Sequence, residues 1–355
     1  MLKNYGADNK SALEAKNDAQ KIAFAPIVFQ AVRTLRNLGI LEIIHQSGNH
    51  GISPEDISAK LKISLYGVKV LLDAGLSAEV VYLKDNKYFL SKTGFYFISD
   101  KMTNINMDFV HDVCYNGMFY LQESIQKEKP EGLKVFGDWA TIYHGLSQLP
   151  EQVKKSWFAF DHFYSDNVFK SILPLIFSEN PARILDIGGN TGKFALECAR
   201  FNKQVEITIA DLPGQLNVAL QNATNEGFEG RISGYEIDIL NENSSLPENC
   251  DIIWMSQFLD CFSEQGILNI LQKAKQSMKE NTRLFILETY WDRQKYEAAT
   301  FSLNNTSLYF TAMANGNSRM YNSNDMISLI GKAGLQITGI TDNLGISHTL
   351  IECKK

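Results

Sequence analysis

The first ninety residues combine apolar positions at helical spacing with one short alternating run. Apolar residues recur at helical spacing in 22–45 (IAFAPIVFQAVRTLRNLGILEIIH), and 53–61 and 64–75 predict two further helices. Residues 80–91 (VVYLKDNKYFLS) alternate around Asp85-Asn86, as the strands of a β-hairpin do. Helices followed by a hairpin predict a winged-helix domain.

From residue 183 the pattern changes to short apolar runs separated by helical segments. The predicted strands are 183–189 (RILDIGG), 205–213 (VEITIADLP), 234–240 (GYEIDIL), 251–255 (DIIWM) and 283–291 (RLFILETYW), and the last 21 residues predict two more with a turn near Asn343–Gly345. Strands that alternate with helices predict an α/β fold with a parallel sheet. The stretch between the two patterns, 94–180, is predicted to be mostly helical and contains many aromatic residues.

Composition narrows the class of protein. The chain has 355 residues, which predicts two domains, and a formal net charge of −6, which disfavours binding to nucleic acid. The five cysteines are scattered without metal-ligand spacing, so we expect no metal site and a cytoplasmic location. No apolar run approaches the ~20 residues of a membrane-spanning helix, so no membrane partner is expected.

One glycine-rich turn follows a predicted strand, in the motif LDIGGNTGK (185–193). Such a turn lets the backbone approach a ligand closely. The dinucleotide spacing GxGxxG fails here, because Asn190 and Lys193 occupy positions that require glycine. The P-loop spacing fails as well, which leaves an acid, Asp186, two residues before a Gly-Gly-x-x-Gly turn.

Two more acidic residues lie at the ends of the next two predicted strands. Asp211 is placed to accept hydrogen bonds from both hydroxyls of a ribose, and Asp238 from an adenine amino group. Asp residues at strand ends are also common helix caps, and a glycine turn alone is a weak signal. Three such acids beside the turn predict a nucleoside-binding site.

The motifs LDIGGNTGKFAL, IADLP, EIDI and DIIWMSQFLDCFS together resemble the S-adenosylmethionine-dependent O-methyltransferases of the caffeic acid type. The resemblance covers essentially the whole chain. It implies a mostly helical winged-helix dimerisation domain (1–110), a helical linker that roofs the pocket (111–180) and a Rossmann-like methyltransferase domain (181–355). It also implies S-adenosyl-L-methionine as cofactor, a small-molecule acceptor and a homodimer.

The resemblance also implies a set of cofactor-binding residues. Those in the glycine turn would cradle the methionine part, those after the second strand would hold the ribose, and those after the third strand would hold adenine. The set comprises Asp186, Gly188, Gly189, Gly192, Asp211, Leu212, Asp238, Ile239, Ser256 and either Tyr164 or His162. Ser256 stands where plant members carry a lysine near adenine.

The predicted catalytic residues are Asp260 and Glu288. Aligned through DIIWMSQFLDCFSEQ, Asp260 takes the place of the family's general-base histidine, and Cys261 that of the acid that follows it. Glu288 matches a glutamate that flanks this histidine, whereas the second flanking glutamate would fall near Arg319-Met320 and is missing.

Three roles are open for Asp260. Burial can raise the pKa of a carboxylate by several units, which would make Asp260 a base for a phenol of pKa ~10. It would otherwise orient the hydroxyl, or have a structural role by capping the helix that begins near Ser263 or by bonding a backbone amide. Cys261 is interpreted as a small packing residue, because methyl transfer needs no covalent enzyme intermediate.

The helical segment before the sheet supplies candidates for the acceptor pocket. His111 and His144 are alternative bases, and Arg319 is a candidate partner for an acceptor carboxylate or a surface residue. The aromatic candidates for holding a flat acceptor are Phe119, Tyr120, Trp139, Tyr143, Trp157, Phe160 and Phe163. Ordinary helix packing is the alternative for all of them.

The leading function is methyl transfer to a small, aromatic, hydroxyl-bearing acceptor, with ring C-methylation as a variant. One rival is a protein that keeps the cofactor and lacks activity, since the histidine is replaced. The other is a winged-helix transcription regulator. The presumed recognition segment, SLYGVKVLLDAGL (64–76), has one Lys, one Asp and no Arg, which suits a buried dimer interface better than DNA.

Overall fold

The computed structural model describes residues 5–355, with the side chains of 166 and 167 left out. The chain divides into two compact units, one that ends at Asp108 and one that runs from Phe109 to Lys355. Each unit has its own apolar core and is described by itself.

The N-terminal unit consists of six helices and a two-stranded hairpin. The elements are α1 (Ala12–Asn37), α2 (Ile40–Gln46), α3 (Pro54–Leu61), α4 (Leu65–Ser77), β1 (Val81–Lys84), β2 (Lys87–Leu90), α5 (Lys92–Ser99) and α6 (Lys101–Phe109). The apolar segment 22–45 spans two helices, because Gly39 takes a φ of +76° between them. Asp85 and Asn86 turn the predicted hairpin with positive φ. Ile52 adds a bridge to Tyr88 of β2, which completes the winged-helix pattern predicted from the sequence.

The C-terminal unit is an α/β unit. After a π-helical stretch at Val110–Cys114, its elements are α7 (Leu121–Lys127), α8 (Ile142–Gly145), α9 (Glu151–Ile176), β3 (Arg183–Ile187), α10 (Lys193–Phe201), β4 (Glu206–Asp211), α11 (Pro213–Asn225), β5 (Ile232–Glu236), β6 (Ile252–Ser256), α12 (Glu264–Ser277), β7 (Arg283–Glu288), α13 (Glu297–Tyr309), a second π-helical stretch at Phe310–Ala314, α14 (Ser323–Lys332), β8 (Gln336–Leu344) and β9 (His348–Lys354).

One seven-stranded sheet organises this unit, in the order β5-β4-β3-β6-β7-β9-β8. The first five strands in this order are parallel, as predicted. The final hairpin is antiparallel, and β9 pairs with β7. The ladder between β8 and β9 shifts register twice, between Ile337 and Gly339 and between Thr341 and Leu344. The carboxyl ends of the parallel strands meet at one end of the sheet.

The central strands β3, β6 and β7 are buried on both faces, which explains their nearly continuous apolar runs. Leu185 and Ile187 of β3 pack into one cluster with α12 and α14, and Ile184 packs into the other with α9 and α10. Within the second cluster the rings of Phe194 and Trp254 stack at 4.1 Å. The rigid sheet therefore fixes the loops at its carboxyl end.

Several strand ends differ from their predictions: β3 and β7 end at Ile187 and Glu288, short of the predicted 189 and 291, and the shift of β5 affects a site residue. GYEIDIL was predicted as a strand over 234–240, but β5 begins at Ile232 and ends at Glu236. Alternation of apolar and polar residues continues past the last ladder bond, so pattern alone misplaces the end. Asp238 therefore lies two residues beyond the strand. Within residues 5–355, no helix combines the length and apolar character needed to cross a membrane.

Candidate active site

The glycine turn connects β3 to α10 at the carboxyl end of the sheet. Gly188 takes a φ of +71° and Gly192 a φ of +79°, a region that favours glycine. A Cβ atom at Gly188 would lie 2.2 Å from the ring of Phe258, so a side chain has no room there. The turn therefore exposes backbone to a ligand and lies directly against the segment that leads to Asp260.

Asp186 and Asp211 lie beside this turn. Asp211 accepts hydrogen bonds from the backbone N–H groups of Asn190 (2.8 Å) and Leu212 (2.7 Å). Asp186 is buried, and its Oδ2 has no hydrogen-bond partner. Burial, together with the nearby charge of Asp211, raises the pKa of Asp186 to about 8, and burial raises the pKa of Asp211 to about 6. Burying two carboxyl groups costs desolvation free energy, which a ligand with a positive charge or hydroxyl donors would offset.

On the adenine side of the predicted site, Asp238 is more exposed than the two acids beside the glycine turn. Asp238 is exposed in the loop after β5, and its Oδ1 accepts from the N–H of Leu240 at 3.0 Å. Ile239 is buried, and Ser256 ends β6 with a buried Oγ that has no partner. The Asp238 side chain thus closes a local turn, and its other oxygen is available to a ligand.

Tyr164 and His162 both lie on α9, which also bears aromatic neighbours one turn away. The ring of His162 stacks on Phe158 at 5.7 Å, and the ring of Tyr164 lies 5.1 Å from Phe160. Sequence reasoning left the choice between Tyr164 and His162 open. It missed Asp161, the residue before His162, whose Oδ2 accepts a hydrogen bond from Asn190 Nδ2 at 3.1 Å. Its only signal in the sequence was that it is one of two acidic residues in FDHFYSD (160–166).

Glu288, at the end of β7, holds the segment that carries Asp260. Its Oε1 accepts hydrogen bonds from the backbone N–H groups of Phe258 (3.0 Å) and Leu259 (2.8 Å). Its Oε2 is buried without a partner. Burial, and then the neighbouring charge of Asp260, raise the pKa of Glu288 well above its usual range. Its described contacts make it a positioning residue for the turn.

Asp260 is 6% exposed and lies in a short 3₁₀ turn, Leu259–Cys261. Burial raises its pKa to about 7, and the charge of Asp161 adds to the effect. Cys261 Sγ donates to Asp260 Oδ1 at 3.5 Å. The helix that follows, α12, is capped by Ser263, whose Oγ accepts from the N–H of Gly266, so Asp260 is not that helix's cap. A carboxyl group that titrates near neutrality is suited to proton transfer.

Aromatic and apolar side chains surround this turn. Cys261 packs, as predicted, against a cluster that includes Trp139, Tyr143, Trp157 and Phe160. Trp157 Nε1 donates to the hydroxyl of Tyr309 at 2.7 Å, and Phe109 stacks on Phe160 at 4.0 Å. Four of the seven aromatic candidates therefore belong to the wall beside Asp260.

Other candidates lie elsewhere. Phe119 is 83% exposed and Tyr120 is 41% exposed, so neither lines an enclosed pocket. His111 contacts Asp112, and the exposed His144 contacts Thr141. Arg319 donates to Glu264 and Asp325 at the surface, and Phe163 packs edge-on against Tyr164. Among residues 5–355, no group of three or more His, Cys, Asp or Glu residues is placed to bind a metal ion.

The arrangement fits a nucleoside cofactor that carries a cationic group. The glycine turn leaves space for backbone contact, and unpaired buried oxygens of Asp186 and Ser256 lie at the same end of the sheet. Such atoms cost free energy unless a ligand pairs with them. The segment that carries Asp260 lies against the turn, because the ring of Phe258 fills the space that a Cβ at Gly188 would occupy.

Comparison with known proteins agrees with this assignment. The Dimerisation2-like domain matches residues 16–88, and the O-methyltransferase domain matches residues 119–336, more than half of the chain. Acetylserotonin O-methyltransferase of Gallus gallus is 22% identical over 293 residues, 78% of this chain and 82% of that protein. Bacteriochlorophyllide d C-20 methyltransferase of Chlorobaculum tepidum is 24% identical over 238 residues, 63% of this chain and 65% of that one.

The fold also matches solved structures. The apo form of the S-adenosylmethionine-dependent methyltransferase SibL superposes with a TM-score of 0.71 at 21% identity, over 94% of this chain and 98% of that one. The order of the two matched domains agrees with the resemblance found in the sequence. This chain belongs to the S-adenosylmethionine-dependent O-methyltransferase family.

Proposed function

We propose that this protein is an active methyltransferase that transfers a methyl group from S-adenosylmethionine to a hydroxyl of a small aromatic acceptor. The observation that carries the proposal is the buried carboxyl group of Asp260 beside an aromatic wall, on a segment whose Phe258 lies against the glycine turn. A protein that only bound the cofactor would have no use for a desolvated acid there.

On the cofactor side, the backbone of Gly188, Gly189 and Gly192 would line the methionine part. Asp211 would accept from the ribose hydroxyls, with Leu212 beside it, and the free oxygen of Asp186 would face the cationic amino group. Ser256, Ile239 and Asp238 would border the adenine, with Tyr164 or His162 covering it from α9. When bound, the cofactor supplies an electrophilic methyl group on a sulfonium.

On the acceptor side, Asp260 would take the proton of the phenolic hydroxyl as the oxygen attacks the methyl carbon. The new O–C bond forms as the S–C bond breaks, and the proton remains on the Asp260 carboxylate. Deprotonating a phenol of pKa ~10 by an ordinary Asp of pKa ~3.9 is uphill by about 8 kcal/mol. With the Asp260 pKa raised to about 7, the same step costs only about 4 kcal/mol.

Glu288 would keep Asp260 in place through the backbone of the turn, and Tyr143 and Trp157 would hold the flat acceptor. Burial raises the pKa of both carboxyl groups, and that of Asp260 to about 7, so Asp260 changes charge near neutrality. Ring C-methylation of an activated phenol is a second candidate, because it begins from the same phenolate. One relative is named as a C-20 methyltransferase, which favours keeping this variant in the assay.

Cofactor binding and methyl transfer are tested separately. Calorimetry should detect S-adenosylmethionine and its demethylated product, and Asp211→Ala should weaken both by about 1–3 kcal/mol, the cost of unpairing polar groups. Asp138→Ala, an exposed matched change, should have no effect. Incubation with a panel of phenols, read by mass, should give a methyl gain. Binding of NADH, without binding of S-adenosylmethionine or its demethylated product, would refute the proposed cofactor.

We further propose a homodimer formed through the N-terminal unit. Large apolar side chains stay exposed along α1, α4 and α5: Leu13, Ile22, Phe24, Ile27, Leu65, Tyr66, Val70, Phe95 and Tyr96. Exposure on this scale usually marks an interface, and the Dimerisation2-like match supports that use. Light scattering at micromolar concentration should give about twice the chain mass of 40.0 kDa. A monomer there would refute the dimer.

The same surface argues against a role in DNA binding. The exposed residues of α4 include Leu65, Tyr66 and Val70, an apolar set poorly suited to contacts with phosphates. A gel shift at low salt should therefore show no complex. The five cysteines are all unpaired, which supports the proposal of a reducing, cytoplasmic location.

A further inference from the structure

Asn190 links three elements at the glycine turn. Its backbone N–H donates to Asp211 Oδ2 at the end of β4, and its side-chain Nδ2 donates to Asp161 Oδ2 on α9. Asn190 takes a φ of +50°, a conformation that glycine adopts without strain and that costs other residues energy. An asparagine side chain at this position therefore costs backbone conformational energy. The described contact of that side chain is the hydrogen bond to Asp161.

Asp161 lies between the two halves of the site. Its charge acts on Asp260 and on Tyr309, both of which belong to the acceptor side. The same side chain reaches the cofactor turn through Asn190. Two nearby residues of α9, Phe160 and Tyr164, carry part of the aromatic wall and the predicted adenine cover.

We propose that the hydrogen bond from Asn190 to Asp161 is a latch that fixes α9 against the cofactor turn and thereby aligns the methyl donor with the acceptor wall. Asn190 and Asp161 are positioning residues in this proposal, which rests on the function proposed above. This hydrogen bond joins the glycine turn, on the cofactor side, to α9, which carries part of the aromatic wall. Its loss would therefore shift the wall relative to the methyl group. Misplacement of about 1 Å is enough to slow transfer strongly.

The sharpest test is Asn190→Gly, because glycine suits the observed φ and removes only the latch. We expect kcat to fall by about 10-fold because the aromatic wall is misplaced, while the unfolding temperature changes little, because relief of the positive φ offsets the lost hydrogen bond. Asp161→Ala should lose at least as much rate, because it also removes a charge that acts on Asp260, and adding Asn190→Gly to it should cause no further loss. Asp161→Asn keeps an oxygen that accepts from Asn190 and should recover part of the rate.

Asn180→Gly is the matched control, since Asn180 also has a φ of +50° but is exposed and remote from the turn. It should leave kcat unchanged. Additive losses in the double variant, or a loss of stability that parallels the loss of rate in Asn190→Gly, would overturn the latch.

A readout without cofactor separates this proposal from the function it rests on. Hydrogen exchange of α9 peptides in the cofactor-free protein should speed up in Asn190→Gly and Asp161→Ala, and not in Asn180→Gly. That result would support the latch even if the wild-type protein failed to bind S-adenosylmethionine. Unchanged exchange in all three variants would refute it, whatever the cofactor result.

Discussion

Replacing Asp260 by Asn tests whether this carboxyl group is the base. The side chain keeps its shape and its polar contacts but loses the ability to accept a proton. General-base catalysis contributes about 10²–10⁴-fold, so the chemical step should slow by that factor. Cofactor affinity should hardly change, because Asp211 and the glycine turn hold the cofactor side in the proposed arrangement.

The pH dependence follows from the raised pKa. Because burial places the pKa of Asp260 at about 7, the ionised fraction rises about tenfold between pH 6 and pH 8. The transfer rate of the wild-type enzyme should therefore rise about tenfold over this range and level off above it. The Asp260→Asn variant should lose this titration step altogether.

Stability should change in the opposite direction to activity. The folded-state pKa of about 7 lies above the ordinary value of 3.8, so the folded protein binds more protons than the unfolded chain between these values. The contribution of Asp260 to stability is thus fully present below pH 4 and is lost as pH rises through 7. Above pH 7 the ionised, buried carboxylate destabilises the fold by a few kcal/mol, because each pH unit between the two pKa values contributes about 1.4 kcal/mol. Asp260→Asn should therefore melt several degrees higher at pH 8.

Single-turnover kinetics with preloaded cofactor and thermal melts at pH 5 and pH 8 measure both effects. Asp85→Asn, on the exposed hairpin turn of the N-terminal unit, is the matched control and should change neither the rate nor the pH profile. A near-normal single-turnover rate for Asp260→Asn would refute the role of base. An Asp260→Asn enzyme that is slow yet keeps the wild-type pH profile would assign the titration to another group.

Three further predictions concern the surroundings. The pKa values of Asp186 and Asp211 are raised to about 8 and about 6, and the bound cofactor would favour their ionised forms. Cofactor affinity should therefore rise between pH 6 and pH 8. Calorimetry that shows no proton release on binding would contradict this prediction. Gly188→Ala should abolish cofactor binding and lower the melting temperature, because its Cβ meets the ring of Phe258 at 2.2 Å; wild-type affinity in a titration would be the contrary result. Arg319→Ala should leave KM for carboxylate-bearing and neutral acceptors unchanged, since its guanidinium is engaged in surface ion pairs; a selective rise in KM for the carboxylates would place it in the site.

The sequence predicts the parallel sheet and the glycine turn well, because both depend on local chemistry. Apolar runs at 183–187 and 252–256 form strands, and Gly188 and Gly192 have the positive φ that their positions require. Asp211 ends its strand as predicted.

Contacts that depend on tertiary packing were not predictable in this way. The bond from Asn190 to Asp161 joins residues 29 positions apart, and helical spacing alone does not give the tilt of α9 that brings them together. The exposure of Phe119 is likewise set by which face of a short helical segment packs, which the aromatic content does not reveal. Glu288 acts on backbone N–H groups of the loop that follows β6, a role invisible in a side-chain motif.

The two outer strands of the sheet bear on how copies of this chain associate. β5 is only five residues long, and β8 has its ladder interrupted twice. Its neighbour β9 carries Thr349, whose hydroxyl, together with Arg293, engages the exposed Asp342. Short, bulged and charged edges resist lateral pairing with another strand. Fibre-like growth through the sheet is therefore disfavoured, and the proposed dimer through the apolar helices of the N-terminal unit would be a closed pair without further polymerisation.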